Sequence, residues 1–193
     1  MKNGFTIVEV SILFVIFLIV AFLVAPLSLD DSRQAKNTSR WRSVQEDFTN
    51  IFYSINTQEE ESSENFNIVF DSIIKNEVKS ESDSYKITYM NGTYPSNTYR
   101  FKDFKTTYSN AVLAFKLFDE PQDNGICGIL MYDVNGKTGP NVWGKDVFGL
   151  NIYKDKFEPF GKNDSLSSQK QDCSKNGTGL SCSNYYLIGG SFD

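Results

Sequence analysis

The sequence predicts an α+β fold: one long N-terminal helix, its first half apolar all round and its second half amphipathic, packed against an antiparallel β-sheet. Three observations predict it. Residues 5–29 form an apolar run with a single charged side chain, Glu9. Trp41, Val44, Phe48, Ile51, Phe52 and Ile55 then recur at three- and four-residue steps, which is one apolar helix face. From Tyr85 the period shortens, and short apolar or alternating runs follow one another between turn residues, as in a meander of strands.

The apolar run comes first. At roughly 1.5 Å per residue it spans about 35 Å, enough for a bilayer core of about 30 Å. A backbone in lipid must satisfy its own hydrogen bonds, so a single run of this length is a helix. Glu9 is the anomaly, because a carboxylate near the bilayer centre costs about 2.5–3.5 kcal/mol. It sits one turn inside the run, within reach of the interface, and an acid fixed there needs a partner. Lys2 precedes the run and nothing acidic does, which predicts a cytoplasmic N-terminus. Asp30 and Asp31 follow the run, although Arg33 and Lys36 blur that asymmetry. Pro26 cannot donate to the carbonyl of Phe22 and its ring crowds that turn, which predicts a kink with helix continuing beyond it. The amphipathic stripe carries the helix to about residue 55, with Arg40, Arg42, Gln45, Glu46, Asp47 and Asn50 on the other positions.

Residues 58–65 are acidic and serine-rich; Glu59, Glu60, Glu61 and Glu64 could bind a cation, but a charge run of this kind reads first as a solvated loop. Phe66, Val69, Phe70, Ile73 and Ile74 predict a short second helix ending near Ser80. Tyr85, Ile87 and Tyr89 alternate with polar residues and predict a strand, with a hairpin turn at Asn91-Gly92 and a partner strand within residues 98–105. Residues 112–118, 126–134 and 147–157 supply three further strands. Residues 162–193 are expected to form a C-terminal loop, with Tyr185-Tyr186-Leu187-Ile188 returning to the sheet edge.

With 193 residues the chain has room for one helical anchor and one compact domain, here residues 30–193. The chain as a whole has 16 Phe and 10 Tyr, most of them within that domain, where they can fill a real core. The net charge of −5 argues against a nucleic-acid-binding surface, which is normally basic. There is no histidine, so the commonest acid–base catalyst and metal ligand is missing. Cys-x-x-Cys, a P-loop and a dinucleotide fingerprint are also missing, and the sequence gives no ground for an enzyme. The cysteines Cys127, Cys173 and Cys182 allow three single pairings. Outside the cytoplasm, the short separation of Cys173 and Cys182 favours a bridge between them, with Cys127 packing as a small hydrophobe.

Residues 133–146 form the densest turn in the chain, crowded with Asp, Asn, Gly and Pro. Asp133 and Asn135 share the D-x-N-G opening of calcium loops, and Asp146 could close a ring of oxygen ligands with Asn141 between. The match to an EF-hand is loose: the closing acid comes later, and it is Asp rather than Glu. The competing reading is a metal-free turn in which these side chains bond nearby backbone groups.

Residues Gly4-Phe5-Thr6-Ile7-Val8-Glu9, behind the short leader Met1-Lys2-Asn3-Gly4, resemble the cleavage site of type IV pilins and type II secretion pseudopilins. Pro26 adds to the likeness, which covers about the first thirty residues. The resemblance implies a pilin-like fold and a leader, residues 1–4, removed after Gly4 by prepilin peptidase, which then N-methylates Phe5. It implies that residues 5–29 are the transmembrane and assembly half of the helix, in a single-pass inner-membrane protein with an extracytoplasmic domain. Other pilin or pseudopilin subunits and the inner-membrane assembly machinery would be its partners, in a pilus or pseudopilus. Glu9 would then meet the terminal ammonium of Phe5 in a neighbouring subunit. Breaking such a pair leaves a buried charge, at a cost of roughly 3–5 kcal/mol. The loop 133–146 is similar to loops of minor pilins and pseudopilins, some of which bind calcium. A C-terminal disulfide loop is often a contact surface in pilins. Set against this reading is a monomeric, membrane-anchored binding module with an extracytoplasmic domain.

Overall fold

The computed structural model describes residues 7–56, 74–78, 85–101, 104–107 and 109–191, with backbone alone for 23–30, 51–56 and 74–78. Helix α1 runs without a break over Ile7–Asn56. The chain divides into two compact units, Met1–Lys36 and Asn37–Asp193.

In the first unit the described side chains of α1 are almost all large, apolar and exposed, from Ile7 to Phe22. Ser11 donates its hydroxyl to the carbonyl of Ile7 at 2.8 Å, so even this polar side chain is satisfied within the helix. Among the described residues no helix is long and apolar enough to cross a membrane. The predicted bend at Pro26 lies where only backbone is described, and that backbone is helical.

The second unit is built on an antiparallel sheet in the order β1-β2-β3-β4-β5-β6: β1 Ile74–Val78, β2 Phe104–Thr107, β3 Val112–Leu117, β4 Gly128–Asp133, β5 Val147–Ile152 and β6 Phe157–Pro159. Each strand pairs with the next in sequence, the simplest antiparallel topology. Alternation sorts the side chains onto two faces. Leu113, Leu130, Tyr132, Phe148, Leu150 and Ile152 face the second half of α1. There Trp41 is fully buried, stacks on Phe148 at 5.0 Å and donates its indole N–H to the carbonyl of Ser183 at 2.8 Å. Phe48 meets Tyr132 and Phe157 edge-on. The predicted apolar stripe therefore does pack on the sheet, as far as its side chains are described. Of the predicted outer face, Arg42 reaches the carbonyl of Tyr186 with two donors, at 3.0 and 2.7 Å.

The other face carries Val112, Ala114, Ile129, Met131 and Val147 and is covered by Ile87, Trp143 and Phe160. Strand β4 is buried along its whole length, and β5 nearly so, because both faces are covered. Gly149 of β5 allows the closest approach: a Cβ there would lie 2.1 Å from the Phe160 ring.

Four expectations are corrected. Residues 74–78 are strand β1, not the end of a helix; the edge of β2 offers them a partner, with Glu77 opposite Lys105 and Val78 opposite Phe104. Tyr85, Ile87 and Tyr89 do not form a hairpin strand. Only Thr88 pairs, in a parallel bridge with Val142, and a 3₁₀ turn, Asn97–Tyr99, precedes β2. The run 147–157 is divided into β5 and β6 by a turn in which the N–H of Tyr153 reaches the carbonyl of Lys156. The C-terminal stretch is not all loop. Helix α2, Leu166–Asp172, is capped by the Ser165 hydroxyl, and Cys182–Tyr185 is a helical turn, α3, that runs on into further turns instead of a strand. The predicted loop 58–65 and the body of the second helix, residues 66–73, lie outside the described residues.

Candidate functional site

Asp133 ends β4 and Asp146 immediately precedes β5, so pairing of Asp133 with Val147 brings the two acids to the same end of neighbouring strands. Both are completely buried. The loop between them is folded onto their carboxylates. Asp133 Oδ1 accepts the N–H of Asn135 at 3.0 Å, and its Oδ2 accepts the phenolic hydroxyl of Tyr85. Asp146 Oδ1 accepts the N–H of Val142 at 2.6 Å; its Oδ2 accepts the N–H of Asn141 at 2.9 Å and the Asn135 side-chain amide at 3.2 Å. Three left-handed residues make this path possible, Gly136 at φ 70°, Asn141 at φ 54° and Gly144 at φ 81°. At Gly136 a Cβ would lie 2.2 Å from the carbonyl oxygen of Asn110.

Burial dominates the electrostatics. It pushes Asp133 up to about 7; the Tyr85 hydrogen bond opposes the shift and the charge of Asp146 adds to it. Burial also raises Asp146, against the pull of the Val142 and Asn141 N–H groups. Tyr85 is raised in turn, first by its own burial and then by the charge of Asp133.

The four residues read from sequence as a cation site, Asp133, Asn135, Asn141 and Asp146, are thus brought together. They act first as the metal-free reading requires, with carboxylates tying down backbone N–H groups. Among the described residues no cluster of three or more His, Cys, Asp or Glu could hold a metal ion. One observation goes further: the side-chain oxygens Asn135 Oδ1 and Asn141 Oδ1 are buried and have no hydrogen-bond partner. Buried acceptors are rarely left so, since each costs about 1–3 kcal/mol. The side chains of this loop offer two amide oxygens and two carboxylates, so every candidate donor is an oxygen. That chemistry fits a hard cation such as calcium and does not suit zinc.

Of the other predicted site residues, Gly4 and Phe5 lie outside the described residues. Glu9 lies close to the described start of α1 and is exposed. Cys173 and Cys182 form a disulfide, and Cys127 is a free, half-buried thiol facing the carbonyl of Gly125. Sequence reasoning missed two organisers. Tyr85 is separated from Asp133 by 48 residues, and no local pattern links them. Asp172 holds the disulfide loop, accepting from the Thr178 N–H and hydroxyl at 2.7 Å each and from the Ser181 N–H at 2.9 Å. Asp172 adjoins Cys173, and the Thr178-Gly179 turn signal ahead of it was the one available hint. No known protein family matches the chain, and neither does any curated protein or solved structure.

Proposed function

We propose that the chain is a structural subunit, a minor pilin or pseudopilin, of a filament of the type IV pilus or type II secretion kind. The observation that carries this reading is the state of α1 from Ile7 to Phe22. Its apolar side chains are exposed, with Ile7 at 86% and Phe22 at 84%. A helix that exposes large apolar groups on all sides needs lipid or other helices around it. The sequence of residues 4–9 supports the second half of the reading, that the helix passes from the membrane into a filament after cleavage between Gly4 and Phe5. Asp133, Asn135, Asn141 and Asp146 would hold a calcium ion in the extracytoplasmic domain. The ion would supply charge compensation for the two buried acids and ligation for the orphaned amide oxygens; the residues themselves already fix the loop.

Assembly is where the reading is tested. Glu9→Ala should be processed and inserted normally, since the helix only becomes more apolar. It should enter filaments poorly, because the terminal ammonium of Phe5 in the adjoining subunit loses its partner, a loss of roughly 3–5 kcal/mol if buried. Glu9→Gln should be intermediate. Filaments sheared from cells are compared with membranes for content of each variant. Incorporation of Glu9→Ala at the wild-type level would refute the assembly role.

A further inference from the structure

A second site lies in the Asn37–Asp193 unit, lined by none of the acid-loop residues, although Tyr99 and Phe160 in its lining pack against Trp143 of that loop. It is a cleft of about 480 Å³, within the range of small-ligand sites of about 300–1,000 Å³. Its walls come from the 3₁₀ turn Asn97–Tyr99, the loop after β3, the start of β4 at Ile129, the end of β5 at Asn151, and the disulfide-stapled C-terminal loop. The Phe160 ring is part of the lining, buried and in edge contact with Tyr99 at 5.5 Å. Phe118 supplies a second half-exposed ring.

The polar lining has a definite character. The Gln122 and Asn151 carboxamides and the hydroxyls of Tyr99 and Ser168 have no hydrogen-bond partner among the described residues. Among the described residues no Lys or Arg lines the cleft. An anion is therefore disfavoured, because Asp164 and Asp172 stand beside it with no compensating cation in the lining. A cationic group fits little better. Both Asp172 oxygens are turned to Thr178 and Ser181 of the loop, and one oxygen of Asp164, Oδ2, accepts the Ser181 hydroxyl at 2.9 Å. What remains is a set of neutral groups that both donate and accept, next to aromatic rings. That set matches a ligand with several hydroxyls and one apolar C–H face, which can rest on the negative face of an aromatic ring. The wall is held in advance by the Cys173–Cys182 disulfide and by Asp172, so little ordering is required on binding.

We propose that this cleft binds a neutral saccharide, one sugar ring packed against Tyr99 and Phe118 with its hydroxyls shared among Gln122, Asn151, Ser168 and Asp164. The site is independent of filament assembly and would serve either a filament subunit or an anchored monomer.

The test uses the full chain in a detergent without a sugar headgroup. Saturation-transfer-difference NMR is run against galactose, mannose, N-acetylglucosamine and their disaccharides, and in parallel against a lysine oligopeptide. At least one saccharide should take up saturation, and the peptide should not. Gln122→Ala and Asn151→Ala should each weaken that saccharide several-fold, and together by about tenfold or more, as lost hydrogen bonds do. Their melting temperatures should stay at the wild-type value, since neither side chain holds the fold together. Tyr99→Phe, which keeps the ring, should weaken binding less than Tyr99→Ala. The proposal is overturned if none of these saccharides binds, if only the lysine peptide binds, or if the double variant binds as the wild type does.

Discussion

Removing the Asp146 carboxylate should unfasten the turn between β4 and β5. In Asp146→Ala three donors lose their acceptor at once: the N–H groups of Asn141 and Val142 and the side-chain amide of Asn135. Hydrogen bonds to a charged group contribute about 1.5–3 kcal/mol each, but they do not add in full. Against them stands relief of the burial that already raises the Asp146 pKa. A net loss of about 2–4 kcal/mol follows, and in a domain of this size that lowers Tm by roughly 5–15 °C. Asp146→Asn keeps one oxygen for the Val142 N–H and should lose about half as much. Thermal melts followed by circular dichroism, on the full chain in detergent with a chelator present, measure both. Added calcium should then raise Tm for the wild type by mass action and leave Asp146→Ala unmoved. A fall of less than about 2 °C in Asp146→Ala, where about 5–15 °C is expected, would refute the reasoning that this acid organises the loop. An unchanged wild-type Tm with calcium would return the loop to a metal-free turn.

Three further outcomes are expected. Asp133 gains a proton more readily folded, at about 7, than unfolded, near 3.9, so its contribution favours the folded state most at low pH. With calcium chelated, wild-type stability should decline relative to Asp133→Asn by up to about 1.4 kcal/mol per pH unit between about pH 4 and 7, and level off above; denaturant titrations across that range that run parallel would contradict the assigned burial. Cys173→Ser should lose about 2–3 kcal/mol, from release of a short loop, and non-reducing peptide mapping of the wild type should leave Cys127 unbridged. Gly4→Leu should accumulate as the uncut form on immunoblots, because a protease built for glycine has no room for a branched side chain; normal maturation would count against the cleavage assignment.

The parts of the fold that sequence revealed are those fixed locally. Trp41, Val44 and Phe48 lie on one helix face whatever they pack against, and the runs holding Leu113, Leu130 and Leu150 are bracketed by turns that declare themselves. The acid loop was legible for the same reason, since Asp133, Asn135, Asn141 and Asp146 are close in sequence and their types demand a turn. The errors came where distant partners decided. Ile74–Val78 became a strand because β2 presented an edge. Tyr85, Ile87 and Tyr89 alternate as a strand would, yet Thr88 found its partner at Val142 and Tyr85 its own at Asp133. Tyr185 and Tyr186 looked like an edge strand but are wound into a helical turn that seats Tyr186 under Phe148, with its hydroxyl on the carbonyl of Gly144 at 3.1 Å. Aromatic side chains satisfy a helix and a strand equally well, so the contacts made the choice.

The central claim, that this helix is prepared for a filament, is tested most directly at the mature N-terminus. The protein is purified from membranes of the cells that make it, and its N-terminal peptide is analysed by mass spectrometry. The account expects a chain that begins at Phe5 and carries an N-methyl group on that residue, with Met1-Lys2-Asn3-Gly4 gone. A chain that still carries its leader, or one cut beyond the apolar run, would contradict it.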